Sequence, residues 1–160
     1  MRKEVREDLY QTKRLNTYPQ SSWRVAAASV RGTSHEKVGQ LCQDAHHWQK
    51  LPDSVLVAAV GDGAGSASLG KVGAIVATQT AVETICAEQS RLSSTLDERG
   101  WQEILSQALE AAKVAVEAEA AVCGLAARDL ATTLIIVVAT PESIAAVQVG
   151  DGLAVAGDRD

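Results

Sequence analysis

Ser54-Val55-Leu56-Val57-Ala58-Ala59-Val60 runs straight into Gly61-Asp62-Gly63-Ala64-Gly65-Ser66. The first part is an almost uninterrupted apolar run of strand length, the pattern of a strand buried on both faces. Beyond the glycine-rich turn, Leu69, Val72, Val76, Gln79, Val82 and Cys86 recur at steps of three and four, with Ile75 and Ile85 beside them. That spacing predicts a helix with a broad apolar face, from Ser66 to about Gln89. Ser90 to Thr95 interrupts it, and Thr95-Leu96-Asp97-Glu98 fits a capping box, in which hydroxyl and carboxylate satisfy free N–H groups. A second helix follows, from Leu96 to about Val122, carrying Trp101, Ile104, Leu105, Ala108, Leu109, Ala112 and Val116 inward, with Gly124 as its stop.

On either side of this centre lie further strand signals. Leu130 to Thr140 is rich in β-branched residues, Pro141-Glu142-Ser143 turns the chain, and Ile144 to Val149 reads as the second arm of an antiparallel hairpin. Upstream, Trp23 to Val30 is short and apolar, precedes a turn signal at Arg31-Gly32-Thr33-Ser34, and reads as a strand. Strands at both ends and two consecutive helices between them do not alternate as a doubly wound parallel sheet would. The expected class is α+β, with two antiparallel helices side by side on one sheet. The length, 160 residues, fits one domain at about 150 residues each, with residues 1–20 as a polar arm and 21–160 as the folded part.

Composition narrows the function classes. Lys and Arg number 15 against 20 Asp and Glu, a net charge of −5, which argues against a nucleic-acid binder that must neutralise phosphates. Apolar residues make up 46% of the chain, with no Phe, so a core is built from Ala, Val, Leu and Ile. Cys42, Cys86 and Cys123 form no CxxC pair or disulfide framework, which points to a reducing compartment. The first 20 residues lack the apolar core of a signal peptide, and no window reaches the roughly 18 apolar residues of a membrane span. A cytoplasmic protein, without membrane contact, is expected.

The chemistry-bearing positions are acidic residues beside glycines or strand ends: Gln43-Asp44, Gly61-Asp62-Gly63 and Gly150-Asp151-Gly152. A single Asp-Gly pair is most often only a turn. Asp between glycines at the end of a buried strand nevertheless exposes a carboxylate and a backbone carbonyl together, the oxygen donors that Mg²⁺ and Mn²⁺ prefer.

The order of four segments resembles the metal-dependent serine/threonine protein phosphatases of type 2C, bacterial members above all. These are Gly32-Thr33-Ser34-His35 with Gly39-Gln40-Leu41-Cys42-Gln43-Asp44-Ala45; Val57 to Ser66; Ala131-Thr132-Thr133-Leu134; and Val149-Gly150-Asp151-Gly152. The resemblance implies a four-layer α/β/β/α sandwich, incomplete here at its C-terminal side, with two Mn²⁺ or Mg²⁺ ions at one end. By position, Asp62 resembles the carboxylate bridging both ions and the Gly63 carbonyl a ligand of one. Gln43 falls at the neighbouring ligand position, Asp44 resembles the carboxylate that orients the attacking water, and Asp151 matches an additional metal site. Asp44 and Asp62 are thus the implied catalytic residues. The implied activity is hydrolysis of phosphoserine and phosphothreonine in proteins, and the implied partners are phosphoproteins and a serine/threonine kinase.

The pattern departs from the family in three places. Gly39 stands where many members carry an Arg for the substrate phosphate, leaving Lys37 or His35 for that task without the planar fork of Arg. Gly152 replaces a Ser, and two further metal-binding Asp residues of the family belong to later segments that Asp158 and Asp160 do not match. An inactive, phosphatase-like binding module is therefore the alternative. A dinucleotide site at Gly61, Gly63, Gly65 and Gly70 is disfavoured because the spacing is not GxGxxG, Asp62 would face the pyrophosphate, and Glu83 falls inside a helix. His35, Cys42, His46 and His47 match no zinc-finger spacing.

Overall fold

The computed structural model describes residues 23–31, 42–92 and 96–157. Four strands form one antiparallel sheet in sequence order: β1 (Asp44–Leu51), β2 (Val55–Asp62), β3 (Leu134–Ala139) and β4 (Ile144–Val149). Between β2 and β3 the chain forms α1 (Gly70–Ala87), one helical turn α2 (Gln89–Leu92), α3 (Glu98–Val122) and a 3-10 turn at Ala127–Leu130. The α+β expectation and the β3–β4 hairpin hold. The wholly antiparallel sheet has no parallel βαβ unit, which a dinucleotide fold would require.

Helix α1 lies on β1, β2 and β3, and α3 packs beside it, reaching β4. The two run antiparallel. Arg91, just past the end of α1, meets Glu103 in the first turns of α3 at 3.3 Å, while Ala77 early in α1 shares a groove with Leu109 and Val116 late in α3. Alternation along β2 sends Val55, Val57 and Ala59 toward the helices, where they join Leu134, Ile136 and Val138 of β3 and Ala81, Val82, Ile85, Ile104 and Ala108. Small residues on the helices let them approach the sheet closely. At Gly73 an added Cβ would sit 1.9 Å from the Leu130 carbonyl oxygen, so the start of α1 is pressed against the 3-10 turn.

Both ends of α3 are set by local chemistry. Asp97 is the N-cap, its Oδ1 accepting from the Gly100 N–H at 2.8 Å, so Asp97 and not Thr95 fills this role. Thr95 lies outside the described residues. At the other end Gly124 takes φ +68°, and the N–H groups of Gly124 and Leu125 bond back to the Ala121 and Ala120 carbonyls, a Schellman closure that confirms Gly124 as the stop.

Three expectations need correction. Trp23 to Val30 joins no ladder; it is tethered by the Trp23 indole N–H on the Ser54 carbonyl at 2.6 Å and by a Ser29–His46 hydrogen bond. An apolar run makes a strand only when a neighbouring edge accepts its backbone groups. The unforeseen strand β1, Asp-Ala-His-His-Trp-Gln-Lys-Leu, carries polar residues because much of it faces solvent, so it sends no apolar signal. Helix α1 begins at Gly70 rather than Ser66, since Ala64 to Leu69 is held in a loop by Ala64 N–H to Ala131 O and Leu69 N–H to Asp129 O, both 2.8 Å. Strand β3 likewise starts at Leu134, after the 3-10 turn, and not at Leu130.

Candidate active site

Register carries the candidate carboxylates to one end of the sheet. Asp44 opens β1, Asp62 closes β2, and the two are direct cross-strand partners. Because side chains alternate, both share the face of Val60 and His46, the face turned away from the helices. Opposed residues in an antiparallel pair have Cβ atoms about 5 Å apart, and like charges so placed are destabilising. A cation between them would reverse that sign.

The backbone around Asp62 is fixed from three sides. Its N–H donates to Thr133 Oγ1 at 3.0 Å, and its carbonyl accepts from the Thr133 N–H at 2.9 Å. The Gly63 N–H donates to the Gln43 carbonyl at 3.2 Å, and Gly63 forms an isolated bridge with Thr132. Gly63 also packs directly on Gly70, where any Cβ would approach the Gly70 carbonyl carbon to 2.3 Å. Glycines in this loop therefore serve close contact between strand end and helix start. Thr133 holds the Asp62 backbone and Thr132 pairs with Gly63; strand pairing across 71 residues of sequence is the signal that a single sequence does not display.

Gln43, next to Asp44, is partly buried, and its Oε1 is fully shielded with no hydrogen-bond partner among the described residues. A buried amide oxygen without a donor is costly, and it is the kind of atom that a cation or its water satisfies. Asp151 follows Gly150, which takes φ +100° and presses on the Thr133 side chain, so it lies near the same end of the sheet, exposed on a turn. His35, Lys37, Asp158 and Asp160 lie outside the described residues. Among the described residues no group of three or more His, Cys, Asp or Glu is arranged to hold a metal.

Cavities and cysteines complete the description. A cavity of about 530 Å³, mostly apolar, lies between α3, the 3-10 turn and the ends of β3 and β4, lined by Leu109, Val116, Leu130 and Val149 and by none of the candidate carboxylates. A second, of about 500 Å³, is lined by Gln43, the Gly65–Leu69 loop and the first turn of α1. Cys42, Cys86 and Cys123 are free, and burial together with Glu83 pushes the Cys86 thiol up. No described helix is long and apolar enough to cross a membrane.

Comparison with known proteins places this geometry in context. A family model described as protein phosphatase 2C matches residues 31–160. Serine/threonine-protein phosphatase 3 of Escherichia coli (strain K12) is 32% identical over 136 residues, covering 82% of this chain and 52% of that protein. The chain thus spans about half the length of that relative. No solved structure matches. With the match to the family model running from Arg31 to the last residue and through both Asp44 and Asp62, the chain belongs to the protein phosphatase 2C family.

Proposed function

We propose that the chain forms the N-terminal part of a catalytic domain that hydrolyses phosphoserine and phosphothreonine in proteins with the help of Mn²⁺ or Mg²⁺. The observation that carries this reading is the direct opposition of Asp44 and Asp62 at the open end of the sheet, beside the shielded Gln43 Oε1. These donors are all oxygen, the set that a hard divalent cation takes. Asp62, the Gly63 carbonyl and Gln43 would hold one ion, with Asp62 shared toward a second and Asp151 at a further position. When bound, such ions supply a water of lowered pKa and neutralise phosphoryl charge.

The residues of the chain have their own tasks in this scheme. Thr133 and the Gln43 carbonyl fix the Asp62–Gly63 backbone, so that the carboxylate does not have to be ordered when substrate arrives. Asp44, held by the β1–β2 ladder, accepts a hydrogen bond from the attacking water and aligns it with phosphorus. Neither Cys42 nor Ser66 is required as a nucleophile.

The second sheet of the implied four-layer sandwich is part of the same proposal. Trp48, Val60 and Ile144 stand on the face away from the helices and remain exposed, a surface that a second sheet would bury. Phosphoprotein substrates, a serine/threonine kinase as partner and a cytoplasmic location are carried by the family resemblance, the location also by three free cysteines.

Ligand counting gives the expected activity. By the family pattern Asp62, the Gly63 carbonyl and Gln43 or Asp44 would serve one cation and only the shared Asp62 the second, so the 160-residue chain should turn over p-nitrophenyl phosphate and phosphopeptides weakly or not at all with Mn²⁺. A chain extended by later family segments should be an Mn²⁺-dependent phosphatase that Asp62→Asn disables. Equal activity of extended wild type and Asp62→Asn would reject the reading. Weak binding without turnover in the extended chain would instead favour a phosphatase-like binding module, the alternative raised by Gly39 at the position where many family members carry an Arg.

A further inference from the structure

We infer that Thr133 is a positioning residue that ties two aspartate-bearing turns together: its hydroxyl sets the Asp62 peptide, and its methyl group seats the turn that carries Asp151. The inference deepens the phosphatase reading and rests on it for the cation that these aspartates would serve. Continuing the β2–β3 and β3–β4 registers past Val60–Ile135 and Leu134–Val149 sets Thr133 opposite Asp62 on one side and opposite Gly150 on the other, just as Asp62 is opposite Asp44. Alternation puts the side chains of Asp44, Asp62 and Thr133 on one face, away from the helices.

In a hydrogen-bonded antiparallel pair the two residues exchange both N–H···O=C bonds. At this rung the outward bond is regular, the Thr133 N–H donating to the Asp62 carbonyl at 2.9 Å, but the return bond runs to a side chain: the Asp62 N–H donates to Thr133 Oγ1 at 3.0 Å. The Thr133 carbonyl accepts from the Thr132 hydroxyl at 2.9 Å. The last rung before Gly63 is thus closed by a hydroxyl, and the orientation of the Asp62 peptide follows the rotamer of one threonine. A residue without a β-hydroxyl at this position would withdraw that acceptor from the Asp62 N–H.

The other branch of the same side chain is engaged as well. A Cβ added at Gly150 would come within 2.6 Å of Thr133 Cγ2, so the turn lies directly on the methyl group. Gly150 takes φ +100°, and Asp151 follows it. The methyl group therefore sets how closely the Asp151 turn approaches the end of the sheet. One side chain with a hydroxyl on one branch and a methyl on the other serves both contacts; valine lacks the first and serine the second. Groups that orient metal ligands from behind contribute to affinity without touching the ion.

The test is a crossed substitution in the 160-residue chain, with amide NMR in chelator and calorimetric titration of Mn²⁺, on wild type, Thr133→Val, Thr133→Ser and Asp62→Asn. Thr133→Val should speed hydrogen exchange at the Asp62 amide about tenfold and leave the Gly150 and Asp151 resonances in place. Thr133→Ser should do the reverse, keeping the Asp62 amide protected while Gly150 and Asp151 shift. Mn²⁺ should bind Thr133→Val about tenfold more weakly than wild type, with most of the affinity restored in Thr133→Ser. Unchanged exchange at Asp62 in Thr133→Val, or the same changes at both turns in the two variants, would overturn the inference. The crossed amide pattern in a protein whose wild type and Asp62→Asn bind Mn²⁺ equally would leave the positioning role of Thr133 standing and reject the cation reading.

Discussion

The two faces of the sheet are made from similar residues and have opposite fates. Toward the helices, Val57 and Ile136 are 0% exposed, enclosed by Ala77, Ala81, Val82 and Ile104. On the other face Trp48, Val60 and Ile144 remain 41%, 49% and 55% exposed, while Ile135, the cross-strand partner of Val60, is covered where Gly152 lies against it. Sequence cannot tell these faces apart, since β2 is apolar at nearly every position; only the presence of α1 and α3 on one side does. The difference follows from the single layer of helices, which covers one face of the described sheet. The candidate carboxylates stand on the face away from the helices, where Asp44 and Asp62 extend the row that begins at Val60 and His46.

The largest expected effect tests the buried face. Ile136→Ala removes a fully enclosed side chain from the middle of β3, between the register partners Ala59 and Val147. It should cost about 2–5 kcal/mol in urea unfolding, a lost transfer free energy plus a cavity. A cost below about 1 kcal/mol would mean that the helices do not pack on the sheet as described.

A smaller effect tests the carboxylate row. With Mn²⁺ wild type should gain stability relative to its value in chelator, because an ion bound only to the native state stabilises it by mass action, and Asp62→Asn should gain far less. Thermal unfolding of both proteins, with chelator and with Mn²⁺, reads this directly. An equal Mn²⁺-induced shift in the two proteins would remove Asp62 from the proposed metal site.

What was legible in the sequence follows the same physics. Helices α1 and α3, the β3–β4 hairpin, Gly124 and the strand before Gly61 announced themselves through periodicity, β-branched runs and glycine, all local signals. Strand β1 was missed because a half-exposed strand of His, Gln and Lys has no apolar run, and Trp23 to Val30 was misread because apolar composition does not supply a pairing edge. Asp62 stood out as a candidate through its flanking glycines, whereas its pairing with Asp44 and its support by Thr133 depend on register. The cavity between Gln43 and the start of α1 was invisible: its lining comes from one loop, one helix start and Gln43, which are adjacent only after folding.

The smallest effect sharpens the comparison most. Val60→Thr places a hydroxyl of nearly the same volume on the uncovered face, at a position that is half exposed and opposite His46. Thr keeps the β-branched shape, so strand propensity is preserved and the hydroxyl can meet water. In the 160-residue chain the change should stay within about 0.5 kcal/mol, the usual range for a surface substitution. In a chain extended by the later family segments, a second sheet would strip that hydroxyl of water and offer no donor or acceptor. The same substitution should then cost about 1–3 kcal/mol, the penalty of an unsatisfied buried polar group. Measured in both chains by urea unfolding, the difference isolates burial of this face from every other property of the mutation. Equal and small costs in the two chains would show that the face of Val60 stays open, and that the proposed second sheet does not form there.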